Sequence, residues 1–98
     1  MKFLKTKNFG ISKKTAVKRE LAVALTYDQY TMNAPVVSAM GQRACAKELR
    51  RVARRYGIPI ECHNSLAKRL SSLQTEQELP YELYEDVANV FSKIERRY

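Results

Sequence analysis

The stretch Glu20-Leu21-Ala22-Val23-Ala24-Leu25-Thr26-Tyr27, followed by Asp28-Gln29-Tyr30-Thr31-Met32-Asn33 and Ala34-Pro35-Val36-Val37-Ser38-Ala39-Met40-Gly41, decides how this chain folds. Leu21 to Leu25 is an unbroken apolar run, too short for a helix that must bury itself. A strand covered on both faces reads this way. Pro35 has no amide proton to give a ladder, so it belongs at a strand start, just ahead of Val36 and Val37. The expectation is a strand over Glu20 to Tyr27, a polar connection over Asp28 to Asn33, and a second strand over Val36 to Met40 stopped by Gly41.

Downstream, the spacing predicts a helix from Gln42 to Tyr56. Cys45, Leu49, Val52, Ala53 and Tyr56 make one apolar stripe. Arg43, Lys47, Arg50, Arg51, Arg54 and Arg55 fall on the outer side. Gly57 sits where a helix end wants a left-handed residue. Ile58 to Cys62 reads as a third strand, and a strand–helix–strand sequence in one sheet implies a parallel crossover. Asn64 or Ser65 can cap a short helix over Ser65 to Leu73. Pro80 suits the first turn of a last helix, whose apolar face is Leu83, Tyr84, Val87, Ala88, Val90, Phe91 and Ile94. The fold class expected is α/β, a small mixed sheet of three to four strands covered by three to four helices.

Upstream, residues 1–19 hold seven basic side chains and no acid. Neither helical nor strand periodicity is sustained there. The domain division expected is a basic, poorly ordered arm over 1–19, with at most a short strand near Phe9 to Val17, and a folded domain over 20–98. The folded part then has eleven of the eighteen basic groups against all ten acids. A domain whose folded surface is built for nucleic acid usually carries the positive excess itself. The arm suits an acidic partner or an anionic membrane surface, and equally a solvated tail.

Ninety-eight residues make one domain with a modest core. No apolar run approaches the roughly 20 residues that cross a bilayer, and the first residues do not form a secretion signal. The expectation is a soluble, cytoplasmic chain. Cys45 and Cys62 are too few for a disulfide framework or a metal site, and each suits a small buried position. His63 adjoins Cys62, but neighbours at a strand end point to opposite sides, which speaks against a nucleophilic pair. Three isolated glycines make no phosphate-cradling loop. The residues point to no enzyme, no metal and no cofactor.

Several stretches together resemble the cytoplasmic domain of the FlhB family, the switch proteins of flagellar and type III secretion export. They are Ala22 to Asp28, Met32 to Val37, Ala39-Met40-Gly41, the helix ending at Gly57, Ile58-Pro59, Leu66 to Leu70, and Gln77 to Pro80 followed by Leu83-Tyr84. Family members carry Asn-Pro-Thr-His before the apolar strand and cut themselves between the asparagine and the proline. The matching positions here are Val17, Lys18, Arg19 and Glu20, and no Asn-Pro dipeptide occurs in the chain. The resemblance implies a stand-alone, non-cleaving relative of the C-terminal domain, without the membrane-embedded half.

In the family, a strand ahead of the cleavage motif pairs with this domain. A basic arm in its place implies an open sheet edge to which a partner adds a strand. The family's patch for apolar segments of export substrates carries over to Ala34, Pro35, Ala88 and Phe91. Phe91 stands where leucine is usual, and Met40 replaces the usual lysine before the glycine. Two readings stand for those four positions, a binding groove and ordinary packing at the edge of a core. The function implied is a soluble accessory of the flagellar or type III export apparatus that binds export-gate proteins or export substrates. Its place would be the cytoplasm, peripheral to the inner membrane. The rival is a nucleic-acid-binding module using residues 1–19 and the Arg43 to Arg55 helix face.

Overall fold

A computed structural model describes residues 6–13, 20–28 and 30–97. The elements are β1 (Thr6–Lys13), β2 (Leu21–Asp28), β3 (Val36–Gln42), α1 (Ala44–Arg55), β4 (Ile60–Cys62), α2 (Asn64–Leu70), a 3₁₀ turn (Tyr81–Leu83) and α3 (Tyr84–Arg97). The four strands form one mixed sheet in the order β3-β2-β1-β4. β1 and β3 each run antiparallel to β2, and β4 runs parallel to β1. β3 and β4 are therefore parallel, joined through α1 as the strand–helix–strand reading expects.

The expected arm is corrected over residues 6–13. These residues form β1, which pairs with β2 along its whole length, from Thr6 opposite Asp28 to Lys13 opposite Leu21. Its other edge takes β4, with Gly10 opposite Ile60. The open edge expected beside β2 is thus filled. Ile11 is fully buried while Ser12 next to it is buried on the other face. Lysines at positions 7 and 13 hide this alternation from a reading by composition. Residues 1–5 and 14–19, including Val17, Lys18 and Arg19, lie outside the described residues.

One face of the sheet carries the core. Ile11, Val23, Leu25 and Val37 meet Leu66, Ala67 and Leu70 of α2, Leu79 and Leu83, and Val87, Val90 and Ile94 of α3. Side chains alternate across a strand, so Ala22 and Ala24 face the other way. That second face is covered by α1.

Helix α1 ends as Gly57 foretells. Gly57 has φ 70°, its amide donates to Arg54 O at 3.2 Å, and Ile58 N–H donates to Ala53 O at 2.8 Å. This is a Schellman closure. Gly41 is needed for another reason: a Cβ there would stand 2.9 Å from Cys45 Cβ. The expected apolar stripe is corrected. α1 buries Ala46 and Arg50 and half-buries Leu49 and Ala53, while Cys45 and Tyr56 are exposed and Val52 is 39% exposed. The buried face keeps Leu49 and Ala53 of the stripe read in the sequence and turns away from Cys45 and Tyr56 toward Ala46 and Arg50. The cause is an ion pair: Arg50 Nη2 donates to Glu20 Oε1 at 2.7 Å, and both side chains are more than nine-tenths buried. Arg50 therefore leaves the outer cationic face. Cys62 is also exposed, so neither cysteine fills a buried site.

Helix α2 starts one residue earlier than expected and ends at Leu70. Its cap is His63, whose Nδ1 accepts from Leu66 N–H at 3.2 Å. An imidazole nitrogen used in this way is not facing the Cys62 thiol, which lies 4.0 Å from Asn64 Oδ1.

Candidate functional site

The β2–β3 connection is built on Asp28. Its carboxylate accepts from Tyr30 N–H and Thr31 Oγ1, each at 3.0 Å, and its carbonyl accepts from Met32 N–H at 2.9 Å. This Asx-type turn fixes where Asn33, Ala34 and Pro35 go. Next to them the segment 76–79 zips onto the start of β3. Glu76 N–H donates to Val37 O at 2.7 Å, Val37 N–H to Gln77 O at 3.0 Å, and Leu79 N–H to Pro35 O at 3.0 Å. The residue behind the first of these bonds, Glu76, has φ 69°. The outer edge of β3 is therefore partly covered.

Pro80 then turns the chain into the 3₁₀ turn and α3. Tyr84, Val87, Ala88 and Phe91 follow at i, i+3, i+4 and i+7, which puts them on one stripe. Between this stripe and the β2–β3 turn lies a cleft of about 220 Å³. Its walls are Tyr27 with Asn33, Ala34 and Pro35 on one side, Leu79 at the end, and the four α3 residues on the other. Tyr81 stacks edge-on against Tyr84, with centroids 5.4 Å apart, and is 81% exposed.

All four residues carried over by the resemblance, Ala34, Pro35, Ala88 and Phe91, line this one cleft. They are not equivalent. Ala34 is buried, Pro35 and Phe91 are half-buried, and Ala88 is exposed. Sequence reasoning missed Tyr27, Asn33 and Leu79, and placed Tyr84 and Val87 only on a core-facing stripe. The 84/87/88/91 spacing was the available signal, because it extends the buried stripe toward solvent. Of the positions that the resemblance matches to the cleavage motif, Glu20 alone is described, and its carboxylate accepts from Arg50.

A second hollow, also about 220 Å³, lies under α1, against the small side chains of Gly10, Ala22, Ala24 and Ala39. Arg50 lines it, and its Nε and Nη1 have no hydrogen-bond partner among the described residues. On the outer side of α1, Arg51 is held by Glu48, whose hydrogen bond raises the guanidinium pKa above its ordinary value. Among the described residues, no three His, Cys, Asp or Glu side chains come together to hold a metal ion. No described helix is long and apolar enough to cross a membrane.

Fold and cleft together define a class: a small α/β domain with a four-stranded mixed sheet and an apolar cleft between the β2–β3 turn and the last helix. The chain belongs to the FlhB HrpN YscU SpaS family, whose model matches residues 19–94. It is similar to the Bacillus subtilis protein YlqH, 37% identical over 73 residues, covering 74% of this chain and 78% of that protein. It is 34% identical over 76 residues to the flagellar biosynthetic protein FlhB of Treponema pallidum, covering 76% of this chain and only 20% of FlhB. The crystal structure of the cytoplasmic domain of FlhB from Shewanella putrefaciens superposes with a TM-score of 0.79 at 29% identity, covering 90% of this chain and 68% of that one.

Proposed function

We propose that this chain serves a flagellar or type III export system by docking apolar segments of exported or export-gate proteins in the cleft over α3, without cutting itself. One observation carries the reading: the four positions matched to the family's substrate patch converge on one apolar cleft that opens to solvent at Ala88. Clefts with apolar walls and few polar groups suit such segments. Two features support the absence of self-cleavage. The chain has no Asn-Pro bond, and Glu20, standing where the motif has histidine, is committed to Arg50. On this reading the chain works at the cytoplasmic side of the export apparatus, where the basic residues near its N-terminus also favour an anionic membrane surface.

The test is a titration of the full chain with purified rod and hook proteins of the same export system. The cleft reading expects saturable binding that Ala88→Trp weakens at least tenfold, because an exposed position filled with an indole blocks the groove without disturbing the core. Equal binding by both forms, or none by either, contradicts it. The intact mass of the purified chain should also stay at 11.3 kDa on prolonged incubation.

A further inference from the structure

Six of the ten acidic side chains are already engaged. Glu20 pairs with Arg50, Glu48 with Arg51 and Asp86 with Arg69, Asp28 closes its turn, and Glu61 and Glu95 have partners of their own. The remaining four, Glu76, Glu78, Glu82 and Glu85, are all exposed and have no side-chain partner among the described residues. In a chain of net charge +8, surplus cations are plentiful and unpaired acids are the exception. All four fall in the stretch that builds one wall and the end of the cleft. Glu78 precedes Leu79, which closes it; Glu82 lies between Tyr81 and Tyr84; Glu85 follows Tyr84 and stands one helical turn before Ala88.

An apolar cleft lined by Tyr27, Tyr84 and Phe91, with exposed carboxylates adjoining its wall residues in the sequence, is complementary to one chemistry. We infer that the segment it takes carries Lys or Arg immediately beside its apolar anchor. The apolar residue enters between Pro35 and Phe91, and the cation meets Glu78, Glu82 or Glu85 at the rim, with Tyr81 and Tyr84 offering ring faces to the same charge. This inference rests on the docking role proposed above and names the chemistry of what docks.

Three twelve-residue peptides test it, each with Phe-Leu at the centre and flanked on both sides by Lys, by Gln or by Glu, titrated into the full chain. The affinity order expected is Lys, then Gln, then Glu. At low salt the Lys peptide should bind about fivefold more tightly than the Gln peptide, and the gap should shrink as salt screens it. The triple variant Glu78→Gln, Glu82→Gln, Glu85→Gln should bring the Lys and Gln peptides together while leaving the Gln peptide's affinity unchanged. Glu48→Gln on α1 should change neither. If the Gln peptide binds and the Lys peptide binds no better, this inference fails and the docking role stands. A Lys advantage that survives the triple variant, or that Glu48→Gln removes equally, also overturns it. If none of the three peptides binds, the docking role and this inference fall together.

Discussion

The two faces of the sheet are stabilised in different ways. Toward α2 and α3, the strands present Ile11, Val23, Leu25 and Val37, none more than 2% exposed. Branched side chains there interdigitate with leucines and valines of the helices, and each buried one contributes about 1.5–3 kcal/mol. Toward α1, the strands present glycine, serine and alanine over a cavity, and the helix is anchored by Arg50 on Glu20. A buried ion pair offers little net stability over a hydrophobic pair, but it is costly to break. The first face therefore makes the fold stable, while the second fixes how α1 sits.

The largest expected effect comes from removing residues 1–13. Without β1, both β2 and β4 lose a neighbour and Ile11 leaves the core. The shortened chain should show no cooperative thermal transition; a transition near that of the full chain would restore the arm reading. Next is Leu25→Ala, expected to lower unfolding free energy by about 4 kcal/mol in urea titration, as a cavity opens where packing is tight. Arg50→Ala should cost about 3 kcal/mol, because it leaves the Glu20 carboxylate buried and alone. The double variant Glu20→Leu, Arg50→Leu should recover most of that loss. If the double variant is as unstable as the single, the cost lies in shape rather than in an unpaired charge. The smallest effect belongs to Ala88→Trp, expected to leave stability within about 0.5 kcal/mol, since the position is exposed.

Much of the first face was legible in the sequence. The Leu21 to Leu25 run, Pro35 before two valines and the spacing of Leu83, Val87, Val90 and Ile94 are followed by the structure, while Tyr84 and Ala88 of the expected apolar face are exposed. Three features were not legible, each for its own reason. β1 has only Phe9 and Ile11 as large apolar residues among lysines, and a strand becomes evident only from its two neighbours in the sheet. Arg50 was assigned to solvent because an arginine is buried only when paired, and its partner lies thirty residues away. His63 caps α2 although Asn64 and Ser65, the usual capping types, follow it directly. For the site, the family resemblance named four cleft residues, and periodicity alone saw α3 as a core helix. The exposed Glu78, Glu82 and Glu85 stand out only once the other acids are seen to be engaged.

The decisive question is whether the α3 cleft is the surface that receives another chain. An amide-shift NMR titration of the isotopically labelled full chain with the Lys-flanked Phe-Leu peptide asks this most directly. The expected result is a saturable set of shifts confined to 33, 34, 36, 79 and 81–91, absent in Ala88→Trp. Shifts gathered instead along α1 and β3, or no shifts at millimolar peptide, would contradict it.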